Sequence, residues 1–156
     1  MLALAAHLPE IELQPGEAVV EERGQSGSLW VLVSGALEVR KGGIVVNTIT
    51  EPGALIGEIS LLLGTDHGAT VEATAPSRLR FAADGAALLG DPEITRIVAV
   101  GLAKRLNAVS TYLADLKDQY GEAPGLSMVS DVLSRLTQEQ VAPARPGSAR
   151  DPDPDY

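Results

Sequence analysis

The sequence predicts a mainly β domain of the sandwich or small-barrel type, followed by a long helix. Between Ile11 and Phe81, short apolar runs are broken at regular intervals by glycine and proline, which is typical of many short strands. From Asp91 onward, the apolar residues recur with the period of a helix. Apolar residues make up 45% of the 156 residues but aromatic residues only 3%, so the core is expected to be aliphatic.

A short apolar segment, residues 2–8, precedes the strand region and is predicted to be helical. Strands are predicted where apolar and polar residues alternate, or where short apolar runs lie between turns. Lys41-Gly42-Gly43 is typical of a hairpin turn, and Glu51-Pro52-Gly53 of a second turn. The predicted strands are Glu17–Glu22, Ser28–Val33, Ala36–Arg40, Ile44–Ile49, Val71–Thr74 and Arg78–Phe81.

The long helix is predicted to begin at Asp91-Pro92-Glu93, which supplies an Asp cap, a proline at the first helical position and an acid in the first turn. It is expected to end near Gly121. Beyond Leu102 the apolar residues are spaced alternately four and three apart, as in a coiled coil, so we expect a homodimer through this helix. The alternative is that these residues pack on their own domain. The predicted dimer residues are Leu102, Leu106, Val109, Leu113 and Leu116.

The residues after the long helix are predicted to divide into two parts. Leu126–Gln140 has a weaker amphipathic pattern, and from Val141 onward the chain is rich in Pro, Ala and Asp, which favours disorder. The predicted organisation is therefore a domain with its long helix at 1–120, a short amphipathic helix within 121–140, and a disordered acidic tail at 141–156.

The composition excludes several classes of function. The net charge of −9 disfavours binding to DNA and to membrane surfaces, both of which are anionic. The sequence has no cysteine, and a cupin-like metalloenzyme would need more histidines than His7 and His67. We therefore expect no enzymatic activity and no metal. With no secretory signal and no apolar stretch long enough to span a membrane, we expect a cytoplasmic location.

Three segments carry a resemblance to a known family. They read LQPGEAVVEERGQSGSLWVLVSGALEVRKGG, TEPGALIGEISLLLGTDHGATVEA and GLAKRLNAVSTYLADL. Together they resemble the cyclic-nucleotide-binding domain family, the sensor module of catabolite-activator-type regulators, over about Leu8–Leu116. The resemblance implies a double-stranded β-helix jelly roll followed by a long C-terminal helix. The glycines that match the turns of the family are Gly16, Gly24, Gly35, Gly53 and Gly57.

The resemblance also implies a phosphate-binding cassette. Gly57 would let the backbone approach the ligand, Glu58 would accept a hydrogen bond from the ribose 2′-hydroxyl, and the amides of a short helix at Ile59–Leu63 would face the cyclic phosphate. Arg105 on the long helix matches an arginine that caps the base in the family. The implied ligand-binding residues are Gly57, Glu58, Ile59, Ser60, His67, Gly68, Ala69, Thr70 and Arg105.

The cassette departs from the family pattern where it would contact the phosphate. The family has an arginine, a Ser or Thr, and an alanine where this sequence has His67, Gly68 and Ala69. A charge-assisted hydrogen bond contributes about 1.5–3 kcal/mol, so the loss of the arginine predicts weakened binding. Arg78 and Arg80, which are predicted surface charges, are alternative sources of a cation.

Two functions follow from the resemblance. The first is a stand-alone sensor that binds cAMP or cGMP, with no cofactor besides this ligand, and signals through its long helix to a protein partner. The second is a degenerate domain that has lost nucleotide binding and serves for dimerisation or protein docking. A transcription factor is not expected, because the residues after Tyr120 are too few and too acidic for the DNA-binding domain that such family members carry.

Overall fold

The computed structural model describes residues 1–120, 128–129, 131–132 and 134–135. Eight strands form two four-stranded antiparallel sheets, in the orders β1-β8-β3-β6 and β2-β7-β4-β5. Most neighbouring strands are distant in sequence, as in a jelly roll, so the predicted fold class is confirmed. The strands are β1 Glu10–Leu13, β2 Ala18–Val20, β3 Leu29–Ser34, β4 Leu37–Lys41, β5 Ile44–Ile49, β6 Leu55–Ile56, β7 Thr70–Ala73 and β8 Ser77–Ala82. The helices are α1 Glu58–Leu63, α2 Gly85–Leu89 and α3 Pro92–Tyr120.

The core lies between the two sheets and is aliphatic, as the composition predicts. Alternate residues of each strand point inward, so both sheets contribute side chains to one cluster. Burying these side chains removes apolar surface from water, which stabilises the folded state by about 25 cal/mol for each Å² buried. The buried members of the cluster are Val20, Leu32, Leu37, Ile56, Val71, Ala73 and Leu79.

Some elements differ from the sequence prediction. Residues 2–7 form consecutive hydrogen-bonded turns and no regular helix, which differs from the predicted helical segment at residues 2–8. Strand β6 has only two residues and α2 only five, too few to produce a periodic pattern. Strand β1 does alternate, with Ile11 and Leu13 less exposed than the glutamates beside them, and was not predicted as a separate strand.

Helix α3 begins as predicted. The Oδ1 atom of Asp91 accepts hydrogen bonds from the backbone N–H groups of Glu93, at 2.8 Å, and Ile94, at 3.1 Å, and so caps the first turn. The helix is described as far as Tyr120, and its predicted end near Gly121 lies outside the described residues. None of the described helices combines the length and apolar character of a membrane-spanning segment.

The chain forms two compact units, Met1–Val100 and Gly101–Tyr156. The first contains both sheets, α1, α2 and the start of α3, and the second contains the rest of α3. The predicted helix at Leu126–Gln140 lies largely outside the described residues, although residues 128–129, 131–132 and 134–135 are helical. The predicted tail at 141–156 lies wholly outside them, and the division at 120 and 140 remains a prediction.

Candidate functional site

The segment Gly57–Thr70, here called the cassette loop, connects β6 to β7 through α1. Gly57 has φ +95°, a left-handed conformation that side chains disfavour. A Cβ atom at this position would lie 2.9 Å from the carbonyl oxygen of Ser28 and 3.4 Å from Trp30. Glycine is therefore required here both by the backbone angle and by the close approach of β3 and the residue before it.

Helix α1 turns two polar side chains into the protein. Glu58 and Ser60 are only 3% and 6% exposed, whereas Ile59 between them is 48% exposed. This is the reverse of the usual arrangement of an amphipathic helix. Burial of a carboxylate is unfavourable unless polar groups surround it, so simple packing does not account for an acid at Glu58. The inward face of α1 therefore carries polar side chains where an ordinary core-facing helix carries apolar ones.

His67 is buried beside the same face. Its side chain is 6% exposed, and its Nδ1 atom lies 3.3 Å from the hydroxyl of Ser60. Its ring centroid is 6.4 Å from that of Trp30. His67, which the resemblance aligns with the family's arginine, is thus directed into the protein, among Ser60 and Trp30.

Two backbone hydrogen bonds fix the position of His67. Its N–H donates to the carbonyl of Gly24 at 2.9 Å, and its carbonyl accepts from the N–H of Arg23 at 2.7 Å. The connection between β2 and β3 therefore lies against the cassette loop and is hydrogen-bonded to it. Sequence reasoning missed this contact because the two segments are more than forty residues apart in the chain.

The end of the cassette loop is more open. Gly68 is exposed, and Ala69 and Thr70 are partly buried. The Oγ1 atom of Thr70 accepts a hydrogen bond from the N–H of Glu22 at 2.9 Å, which joins the start of β7 to the chain beyond β2. This hydroxyl thus already contributes to the fold.

The structure brings together the predicted residues of the cassette loop, Gly57–Ser60 and His67–Thr70, in the first unit. Arg105 belongs to the second unit, where its side chain is exposed on α3. Its role in capping the base remains a prediction.

The two arginines considered as alternative cations are engaged elsewhere. Arg78 and Arg80 each form an ion pair with Glu10, at 3.2 Å and 3.1 Å, and Arg80 also donates to the carbonyl of Leu8 at 2.9 Å. Both therefore hold β8 against β1 and the segment before it.

The described residues contain no cluster of three or more His, Cys, Asp and Glu side chains that would hold a metal ion. The buried polar side chains of the cassette loop are the carboxylate of Glu58, the hydroxyl of Ser60 and the imidazole of His67. Such groups form hydrogen bonds with an organic ligand.

Comparison with known proteins identifies the family. The family model described as cyclic nucleotide-binding domain matches residues 10–89, just over half of the chain, and the protein belongs to this family. A curated relative is the cAMP-dependent protein kinase regulatory subunit of Yarrowia lipolytica, which is 33% identical over 69 residues. That match covers 44% of this chain and 18% of the relative, so the chain spans less than a fifth of the relative's length.

Solved structures share the fold. The catabolite activator protein of Thermus thermophilus superposes with a TM-score of 0.58 at 22% identity, over 92% of this chain and 85% of that one. A structure described as Sp-2Cl-cAMPS bound to PKAR CBD2 has a TM-score of 0.58 at 21% identity, over 73% of this chain and 75% of that one. A structure from a cyclic-GMP-dependent signalling pathway of bacterial phytopathogenesis has a TM-score of 0.58 at 24% identity, over 68% and 91%.

Proposed function

We propose that this domain is a regulatory module that binds cAMP or cGMP in the cassette loop, without catalysing a reaction. The observation that carries the proposal is the inward-facing acid: Glu58 is buried at the first turn of α1, directly after the left-handed Gly57. A ribose hydroxyl is a suitable partner for a carboxylate in such a position, because the hydroxyl donates a hydrogen bond and the carboxylate oxygens accept more than one. Membership of the cyclic-nucleotide-binding family supports the same choice of ligand.

The expected affinity is weaker than that of a site with the family's arginine. The imidazole of His67 lacks the forked donors of a guanidinium. The missing interaction is of the order of 1.5–3 kcal/mol, which corresponds to between one and two decades in the dissociation constant. Binding in the range of tens of micromolar to millimolar is therefore the expectation.

In this proposal the ligand acts by population shift. A nucleotide that binds one arrangement of the domain more tightly than another increases the population of that arrangement. The proposed output is the long helix α3, which would present a changed surface to a protein partner. The apolar residues of α3 would also hold two copies of the domain together as a homodimer.

Isothermal titration calorimetry with cAMP and with cGMP tests the binding site. The wild-type protein should bind at least one of them weakly, and His67→Arg should bind it about tenfold more tightly, because a guanidinium is restored beside the phosphate. The control is His7→Arg, which adds the same charge at an exposed position outside the cassette loop and should leave the affinity unchanged.

If neither the wild-type protein nor His67→Arg binds either nucleotide at millimolar concentration, the sensor function is refuted. The domain would then be assigned to the alternative function, a module for dimerisation or protein docking.

A further inference from the structure

Arg23 has an unusual backbone conformation beside the cassette loop. Its φ angle is +68°, and among the described residues it is the only non-glycine residue with a positive φ. A side chain in this left-handed region is strained, and glycine would adopt the same angle without strain. Strain of this kind persists only where the surrounding structure imposes it, and it is concentrated at functional sites.

The surrounding structure does impose this conformation. The N–H of Arg23 donates to the carbonyl of His67 at 2.7 Å, and the carbonyl of the next residue, Gly24, accepts from the N–H of His67 at 2.9 Å. A further hydrogen bond, from the N–H of Gly24 to the carbonyl of Glu21 at 2.9 Å, closes the turn. Arg23 is thus held by its backbone against the residue that replaces the family's arginine.

The guanidinium of Arg23 is available for a ligand. The side chain is exposed, and it forms no ion pair or hydrogen bond with any residue in the described part of the chain. The carboxylate of its neighbour Glu22 accepts a hydrogen bond from the N–H of Gly42 at 2.9 Å instead. By contrast, Arg78 and Arg80 both pair with Glu10.

We propose that Arg23 supplies a positive charge for the cyclic phosphate and so recovers part of the interaction that the family's arginine makes. This inference rests on the proposed function, because it concerns the same ligand in the same loop. The cation would come from the β2–β3 connection and reach the phosphate across the backbone of His67. A long side chain with forked donors suits such a contact, since it binds two phosphate oxygens at once.

The test compares the wild-type protein with Arg23→Gly by calorimetry, using cAMP, cGMP and adenosine as ligands. Adenosine shares the base and the ribose with cAMP but has no phosphate. Arg23→Gly should bind the cyclic nucleotide about tenfold more weakly than the wild type does, while its affinity for adenosine should not change. Its melting temperature should be equal to or higher than that of the wild type, because glycine relaxes the left-handed turn.

Arg78→Gln is the matched control. It also removes one exposed arginine from the first unit, and it should leave the affinity for the cyclic nucleotide within about twofold of the wild-type value, since the pair it breaks lies on β1 and β8.

The outcomes separate this inference from the proposed function. If the wild type binds a cyclic nucleotide and Arg23→Gly binds it equally well, the role of Arg23 is refuted and the site stands. If Arg23→Gly lowers the affinity for adenosine as much as the affinity for the cyclic nucleotide, the substitution acts on the shape of the loop. The role of Arg23 as a phosphate ligand is then also refuted. If the wild type binds neither cAMP nor cGMP, both proposals fall together.

Discussion

At the scale of single residues, Gly57 determines where the cassette loop can begin. Its left-handed backbone and its contact with Ser28 together place Glu58 at the buried start of α1. The turn and the acid thus form one structural unit, in which the backbone angle of one residue sets the direction of the next side chain.

Gly57→Ala is predicted to destabilise the domain more than Gly16→Ala does. The two glycines have similar angles, φ +95° and +89°, but a Cβ atom at Gly16 would meet nothing within 4 Å. Both substitutions should cost about 1–2 kcal/mol through backbone strain. Gly57→Ala should cost a further 1–3 kcal/mol or so, because the new methyl group overlaps the Ser28 carbonyl.

Urea unfolding of the two variants and the wild type measures this difference. Equal destabilisation by Gly16→Ala and Gly57→Ala would show that the close approach of Ser28 contributes nothing. The left-handed angle alone would then account for the glycine.

The family resemblance singled out Gly57 and Glu58 because they are adjacent and belong to a local sequence pattern, and their role in binding remains a prediction. Sequence reasoning did not predict the burial of His67, because the residues around its ring, Ser60 and Trp30, come from different parts of the chain. It also missed Arg23, whose significance lies in a backbone angle that no residue pattern encodes. The chemistry of a residue could be read from its type, but its surroundings depend on tertiary contacts.

At the scale of elements, long segments could be predicted from the sequence and very short ones could not. The start of α3 was predicted because a capping residue, a proline and an acid occupy consecutive positions, and the hydrogen bonds of Asp91 confirm the cap. Strand β6 and helix α2 were not predicted because each has too few residues for its period to repeat along the sequence. Their positions are set by the sheets and loops around them.

The apolar residues of α3 provide a prediction at this scale. Leu106 and Val109 are 37% and 52% exposed, so the described helix presents apolar surface to water. We expect this surface to form the homodimer, and Leu106→Lys should abolish it by placing a charge in the interface. Sedimentation velocity at a fixed protein concentration should show a dimer for the wild type and a monomer for the variant.

Thr111→Lys is the control for this experiment. Thr111 is exposed on the opposite side of the helix from Leu106, so a lysine there should not affect association. The role of α3 in dimerisation would be contradicted if the wild-type protein sedimented as a monomer. It would also be contradicted if the Leu106→Lys variant remained a dimer.

At the scale of the whole molecule, two sheets that enclose one aliphatic core hold the cassette loop from two sides. The loop leaves from β6 in one sheet and returns to β7 in the other, so both of its ends are anchored. The mainly β class could be predicted from strand spacing alone, whereas the pairing of distant strands was implied only by the family resemblance. The net charge of −9 makes a local cation more important for an anionic ligand, since the overall field of the protein repels it.

The most direct test of the central claim is an NMR titration of the ¹⁵N-labelled protein with cAMP and with cGMP, following the backbone amide signals. Binding at the proposed site predicts saturable shifts that are largest for residues 57–60, 67–70 and 23–24, with smaller shifts elsewhere in the first unit. The assignment of this loop as a cyclic-nucleotide site would be contradicted if its amide signals did not move at millimolar nucleotide. It would also be contradicted if the shifts were confined to other regions.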